Sequence, residues 1–112
     1  MHELALTSAI VEGAEEAANG RRVIRVTLEI GRLSGAMTEA IQFCFDEVAR
    51  GTLVEGAVLD IRVIDGRARC RRCGAEFGTP DLYTSCACGA LDLEWLQGLE
   101  LTIKSIELAE AA

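Results

Sequence analysis

The sequence predicts an α+β fold: two helices packed on a small three-stranded sheet, with a zinc-ribbon mini-domain inserted before the last strand. Three observations predict it. Two segments carry apolar residues at helical spacing. Three others alternate apolar and polar residues, as half-buried strands do. Between the second and third of these strands, two close cysteine pairs stand about a dozen residues apart, a spacing that suits a tetrahedral thiolate site.

Residues 3–18 read as the first helix, with Leu4, Ser8, Val11, Ala14 or Glu15, and Ala18 along one stripe. Glu12, Glu15 and Glu16 cluster on the other side as a solvated face. Asn19-Gly20 stops it, since both residues tolerate the left-handed conformation. Residues 22–30 read as a strand. Ile24, Val26, Leu28 and Ile30 lie on its buried face, and Val23, Arg25, Thr27 and Glu29 on a largely wet one. Thr38 is the expected cap of a second helix that ends at Gly51, with Ile41, Cys44, Phe45 and Val48 facing the core. Residues 57–64 form the second strand and 98–108 the third. Leu99, Leu101 and Ile103 share one face of the third strand, and its apolar phase slips at Ser105.

The 112 residues suffice for one domain carrying a mini-domain, divided as 1–66 with 94–112 and as 67–93. Half are hydrophobic but only five are aromatic, so the core is aliphatic. No apolar run is long enough to span a membrane, and no signal peptide is visible, which makes a cytoplasmic location the expectation. The net charge of −7 argues against nucleic acid as a partner. The charge is uneven. Residues 67–89 carry Arg67, Arg69, Arg71 and Arg72 against Glu76 and Asp81, a net of +2, which leaves −9 for the remainder. Those arginines read as a solvated or protein-contact face.

Cys70-Arg71-Arg72-Cys73-Gly74 and Cys86-Ala87-Cys88-Gly89 provide four thiolates for structural zinc(II). A segment this short and poor in aromatics needs the metal in place of a hydrophobic core. The second pair is Cys-x-Cys, a tighter bite in which the usual amide-to-sulfur hydrogen bonds of a Cys-x-x-Cys turn are not expected in the same form. Iron is the alternative ion for such a spacing. Cys44 stands apart and reads as a small core hydrophobe.

The terminus is the other candidate site. His2 is the sole histidine. The Met1 amine, the His2 amide nitrogen and the His2 imidazole can close fused chelate rings around one ion, and Glu3 adds an amide and a carboxylate. Nitrogen donors clustered in this way suit nickel(II) or copper(II).

Taken together, Met1-His2-Glu3, Leu28-Glu29-Ile30-Gly31-Arg32-Leu33-Ser34-Gly35, and Phe43 to Phe45 followed by Gly51-Thr52-Leu53-Val54-Glu55-Gly56-Ala57 resemble the HypA/HybF family. So do Cys70-x-x-Cys73-Gly74 and Gly98-Leu99-Glu100-Leu101. The resemblance covers essentially the whole chain. It implies a nickel metallochaperone rather than an enzyme, with His2 as the essential nickel ligand and Met1 and Glu3 as further donors or contacts. It also implies zinc on Cys70, Cys73, Cys86 and Cys88, although the family's second pair is Cys-Pro-x-Cys-Gly. The implied partners are a GTPase, HypB, and the catalytic large subunit of a nickel–iron hydrogenase, with urease served by some members. A monomer or a homodimer is compatible with the sequence, a strand-exchanged dimer being open to a chain whose last strand must return past the insert.

Overall fold

The computed structural model describes residues 3–110, which form two compact units. The first takes residues 3–29, 36–62 and 102–110. The second takes residues 30–35 and 63–101. The elements in chain order are α1 (Glu3–Ala18), β1 (Val23–Gly31), α2 (Thr38–Ala49), β2 (Val58–Ile64), β3 (Arg67–Cys70), β4 (Glu76–Gly78), β5 (Leu93–Gln97) and β6 (Leu101–Leu108). They make two three-stranded sheets, β2-β1-β6 and β4-β3-β5. Among the described residues no helix is long and apolar enough to cross a membrane.

In the first sheet β1 is central. The Arg32 N–H donates to the Ile64 carbonyl, which sets the C-terminal ends of β1 and β2 side by side. Those two strands are therefore parallel, and α2 is the crossover that such a pair requires. At β6 the Ala109 N–H meets the Arg22 carbonyl and the Gly31 N–H meets the Glu100 carbonyl, an antiparallel arrangement.

α1 packs on α2. The middle of α1 lies on β6, since a β-carbon at Gly13 would come within 3.2 Å of the Ile103 side chain. Gln42 of α2 donates its side-chain amide to the Leu59 carbonyl of β2 at 3.1 Å. Val26, Leu28, Ile30, Ile41, Phe45 and Val54 are fully buried. Each such side chain contributes about 1.5–3 kcal/mol, so an aliphatic core with one phenylalanine at its centre suffices.

Several details depart from the sequence reading. The buried stripe of α1 is Thr7, Ile10, Val11, Ala14 and Ala18, while Leu4 is 62% exposed. The stripe runs through a polar residue because the Thr7 hydroxyl donates to the Glu3 carbonyl one turn back, at 2.6 Å, and so can be buried without an unmet hydrogen bond. Glu15 is not simply solvated. Its carboxylate accepts the Leu53 N–H at 2.8 Å. Thr38 is the first helical residue of α2 rather than its cap. Met37 occupies the cap position and makes no side-chain capping bond. Cys44 and Val48 are half-buried flanks of a core line formed by Ile41, Phe45 and Ala49.

The strands also lose strict alternation. In β1, Ile24 and Arg25 are both exposed between buried Val23 and Val26, and Thr27 is buried on the face expected to be wet. Arg25 and Glu29 flank Thr27 there and reach Glu107 and Lys104 of β6. β6 begins at Leu101, and both Leu99 and Leu101 are exposed. Its half-buried residues are Ile103, Ile106 and Leu108, a change of parity around Ser105. Asn19 and Gly20 end α1 with φ of 53° and 88°, as their side chains allow.

Candidate metal centre

The second unit is built on β3, which pairs antiparallel with β4 on one side and β5 on the other. Ala68 and Cys70 alternate with Arg67 and Arg69 along β3, and Leu93 and Trp95 alternate along β5. The inward set forms a small core of Ala68, Cys70, Cys86, Ala90 and Leu93, with Phe77 and Trp95 packed against it. The segment thus has a core of its own, contrary to expectation, and two of the four candidate thiols belong to it. Period-two alternation was the signal for these strands. Its runs are only three to five residues long, too short to stand out beside the cysteines.

β3 delivers Cys70 into a tight turn. The Gly74 N–H donates to the Cys70 carbonyl at 2.9 Å, and Gly74 takes a φ of 81°, where a side chain would be strained. The Arg72 and Cys73 amides both point at the Cys70 sulfur, at 3.4 Å. The second pair closes on its own turn, with the Gly89 N–H on the Cys86 carbonyl at 2.8 Å and the Cys86 N–H on the Ala90 carbonyl at 3.0 Å. Here the Cys-x-Cys spacing does receive amide support. The Cys88 N–H serves the Cys86 sulfur and the Ala90 N–H serves the Cys88 sulfur. Shortening the pair by one residue moves the amide donors along the chain and does not remove them.

The four cysteine Sγ atoms lie within 4.8 Å of one another. Cys70 and Cys88 approach to 3.7 Å, and Cys73 and Cys86 to 3.5 Å. A tetrahedron with metal–sulfur bonds of about 2.3 Å has edges of about 3.8 Å, so these separations fit one four-coordinate ion such as zinc(II). They are far too long for a disulfide. Cys70 and Cys86 are buried, whereas Cys73 and Cys88 are exposed.

The surroundings sort the thiols electrostatically. The Ala90 amide and the Arg72 guanidinium bring Cys88 down to about 6. The Cys73 amide, more than any other group, lowers Cys70. Cys86 moves the other way. The Cys88 amide favours its thiolate, but burial and the neighbouring sulfurs outweigh that and push it up to about 12. Arg72, read from sequence as part of a solvated or protein-contact face, donates to both the carbonyl and the sulfur of Cys88. Arg69 is held by Glu76 and Glu94 at 3.1 Å each, and Arg71 by Asp92 at 3.3 Å. Most of the basic stretch is thus neutralised within its own unit.

An ion with four thiolate ligands must displace the proton that Cys86 retains near neutral pH. Zinc binding at pH 7.5 is expected to release at least one proton, and its affinity to fall as pH is lowered and protons compete. Calorimetry in buffers of different ionisation enthalpy measures both. Binding without proton release would show that the thiols are not ordered in this way.

Of the terminal residues, Met1 and His2 lie outside the described residues. The Glu3 carboxylate accepts the Met37 N–H at 3.1 Å.

A family model described as hydrogenase/urease nickel incorporation, metallochaperone, hypA, matches residues 1–108. The chain belongs to the HypA family. Curated HypA relatives include the hydrogenase maturation factor HypA of Nostoc sp., 50% identical over 110 residues that span 98% of this chain and 97% of that one. The factor of the same name from Geobacter metallireducens is 47% identical over 109 residues, 96% of this chain and 99% of its own. Among solved HypA structures, the solution structure of the nickel metallochaperone HypA from Helicobacter pylori superposes with a TM-score of 0.72. It shares 26% identity and covers 96% of this chain and 97% of that one.

Proposed function

We propose that this HypA-family protein takes up nickel(II) at its amino terminus and hands it on during the maturation of nickel–iron hydrogenase. The observation that carries the reading is the family match, which begins at residue 1 and so includes the Met1-His2-Glu3 chelate. Nickel is cargo here. The Met1 amine and the His2 amide and imidazole nitrogens supply its donors, and Glu3 contributes its backbone or a supporting contact. A chelate at a chain end can wrap an ion and then release it to a stronger site, as a carrier requires. The nickel-handling part is the first unit, residues 3–29, 36–62 and 102–110, together with the terminus, rather than 1–66 with 94–112 as expected from the sequence. The zinc part is the second unit, wider than residues 67–93 because β5 runs to Gln97 on the cysteine sheet, with zinc(II) on Cys70, Cys73, Cys86 and Cys88 as a resident structural ion. The chain performs no catalysis in this scheme. A GTPase of the HypB type supplies the nucleotide chemistry, the hydrogenase large subunit receives the ion, and urease is a further recipient.

Nickel titration of zinc-loaded protein with its native terminus tests the reading. The expected result is binding near one equivalent, weakened at least tenfold by His2→Ala and by one extra residue placed before Met1. Binding should also weaken as pH falls toward the imidazole range, about 6.5. Unchanged affinity in both variants would move nickel away from the terminus and overturn the proposal.

A further inference from the structure

Arg72 touches both cysteine pairs without being a ligand. Its backbone N–H donates to the Cys70 sulfur at 3.4 Å, and its guanidinium donates to the Cys88 carbonyl and to the Cys88 sulfur, the latter at 3.5 Å. Those two sulfurs, one from each pair, are 3.7 Å apart. A single residue of the first turn thus bridges one edge of the thiol tetrahedron and ties down the second turn. The guanidinium also lies against Gly89, where a β-carbon would stand 3.8 Å from Nη2.

Cys88 is the thiol that such a tie serves. In Cys86-x-Cys88 the first cysteine is buried in the small core, and its backbone is bonded to both Ala90 and Gly89. Cys88 lies outside that core and is exposed. Arg69 and Arg71 are held by Glu76, Glu94 and Asp92, whereas among the described residues no ion pair draws Arg72 to a carboxylate. Its charge is directed at the sulfurs. We infer that Arg72 is a positioning residue for the resident ion, its guanidinium fork holding Cys88 as the fourth ligand across the shortened pair and making that exposed sulfur a poor nucleophile. A charge-assisted hydrogen bond draws electron density from a thiolate, and nucleophilicity falls with basicity. A carrier that exchanges one ion must retain the other, and the exposed sulfur is where a competing ligand or electrophile arrives. The inference rests on the reading of the four cysteines as a zinc site.

Zinc affinity would be measured by competition with a chelating dye for the wild type, Arg72→Ala and Arg72→Lys. Arg72 is exposed, so the zinc-loaded variants should keep the wild-type Trp95 emission. Arg72→Ala should bind zinc about 10–100-fold more weakly, the usual scale for losing an outer contact to a metal ligand. Arg72→Lys keeps the charge but not the fork and should recover only part of the loss. Iodoacetamide labelling of zinc-loaded Arg72→Ala, mapped by peptide mass, should quicken at Cys88 and stay unchanged at Cys73, the other exposed thiol. A general loosening would quicken both. Wild-type zinc affinity and labelling in Arg72→Ala would overturn the inference while leaving zinc on the four cysteines. So would equal quickening at Cys73 and Cys88, full recovery by Arg72→Lys, or a shifted Trp95 emission in the zinc-loaded variants. Wild-type protein that takes up no zinc, or that keeps its affinity after Cys88→Ser, would instead remove the four-cysteine reading and the inference with it.

Discussion

Replacing Cys86 with serine should collapse the second unit while leaving the helices of the first. Cys86 is 4% exposed and sits in the same small core as Cys70, Ala68, Ala90 and Leu93. Its sulfur also forms one edge of the thiol tetrahedron, 3.5 Å from Cys73. The substitution therefore strikes twice. It puts a hydroxyl in an apolar pocket, and it removes a ligand from a site whose free energy of binding is itself folding free energy, of order 10–16 kcal/mol for structural zinc in isolated fingers. The core that would remain has three small residues and Leu93, with Phe77 and Trp95 at its margin, too little to hold β3, β4 and β5 unaided. Trp95 is the sole tryptophan, so its fluorescence reports this unit alone. The expected outcome is a red-shifted emission and loss of the bound metal, with far-ultraviolet helical signal retained. A chelator that strips the wild type should reproduce it. Unshifted emission in metal-free protein would show that the small core stands without the ion.

Gly66→Ala should be comparably severe, for a reason that involves no metal. Gly66 lies in the second unit between β2 and β3 and is buried. A β-carbon there would sit 2.4 Å from the Thr79 carbonyl oxygen, 2.5 Å from its hydroxyl and 2.6 Å from the Leu33 side chain. The first of these is backbone and is tied in place, because the Thr79 N–H donates to the Gly66 carbonyl at 2.9 Å. Gly98 also passes close by, since a β-carbon at Gly98 would meet the Gly66 Cα at 2.6 Å. The Leu33 side chain can give way, but the Thr79 carbonyl is backbone at the end of β4 and cannot move without disturbing that strand. The expected loss exceeds about 4 kcal/mol, at the far end of single-substitution effects, and is read as a large drop in the denaturation midpoint followed by Trp95 emission. Gly78→Ala is the control. Its nearest new contact is at 3.9 Å and it should shift the midpoint little. A small effect of Gly66→Ala would mean that these three segments can separate at low cost.

The helices, the first sheet and the cysteine site were legible in the sequence because each rests on a short-range regularity. Asn19-Gly20 stops α1 by local stereochemistry. Val26, Leu28 and Ile30 declare a buried strand by their spacing. Cys70-x-x-Cys73 and Cys86-x-Cys88 announce a shared ion by residue type alone, and folding brings all four sulfurs within 4.8 Å. Strands β3, β4 and β5 were not legible, since runs of three to five residues carry too little pattern to rise above their turns. The tertiary structure decided what depends on neighbours far along the chain. It turned the α1 stripe from Leu4 and Ser8 to Thr7 and Ile10, because only that face meets α2 and β6 with its polar group satisfied. It gave Glu15 to the Leu53 amide and Arg72 to Cys88. It also made Gly31, Gly66 and Gly98 obligatory, because backbone from separate segments passes there closer than any side chain allows. Periodicity and ligand type are properties of adjacent residues and can be read in order. Which face is covered, which charge is paired and which glycine is indispensable are set by distance in space, and that is fixed only when the chain closes on itself.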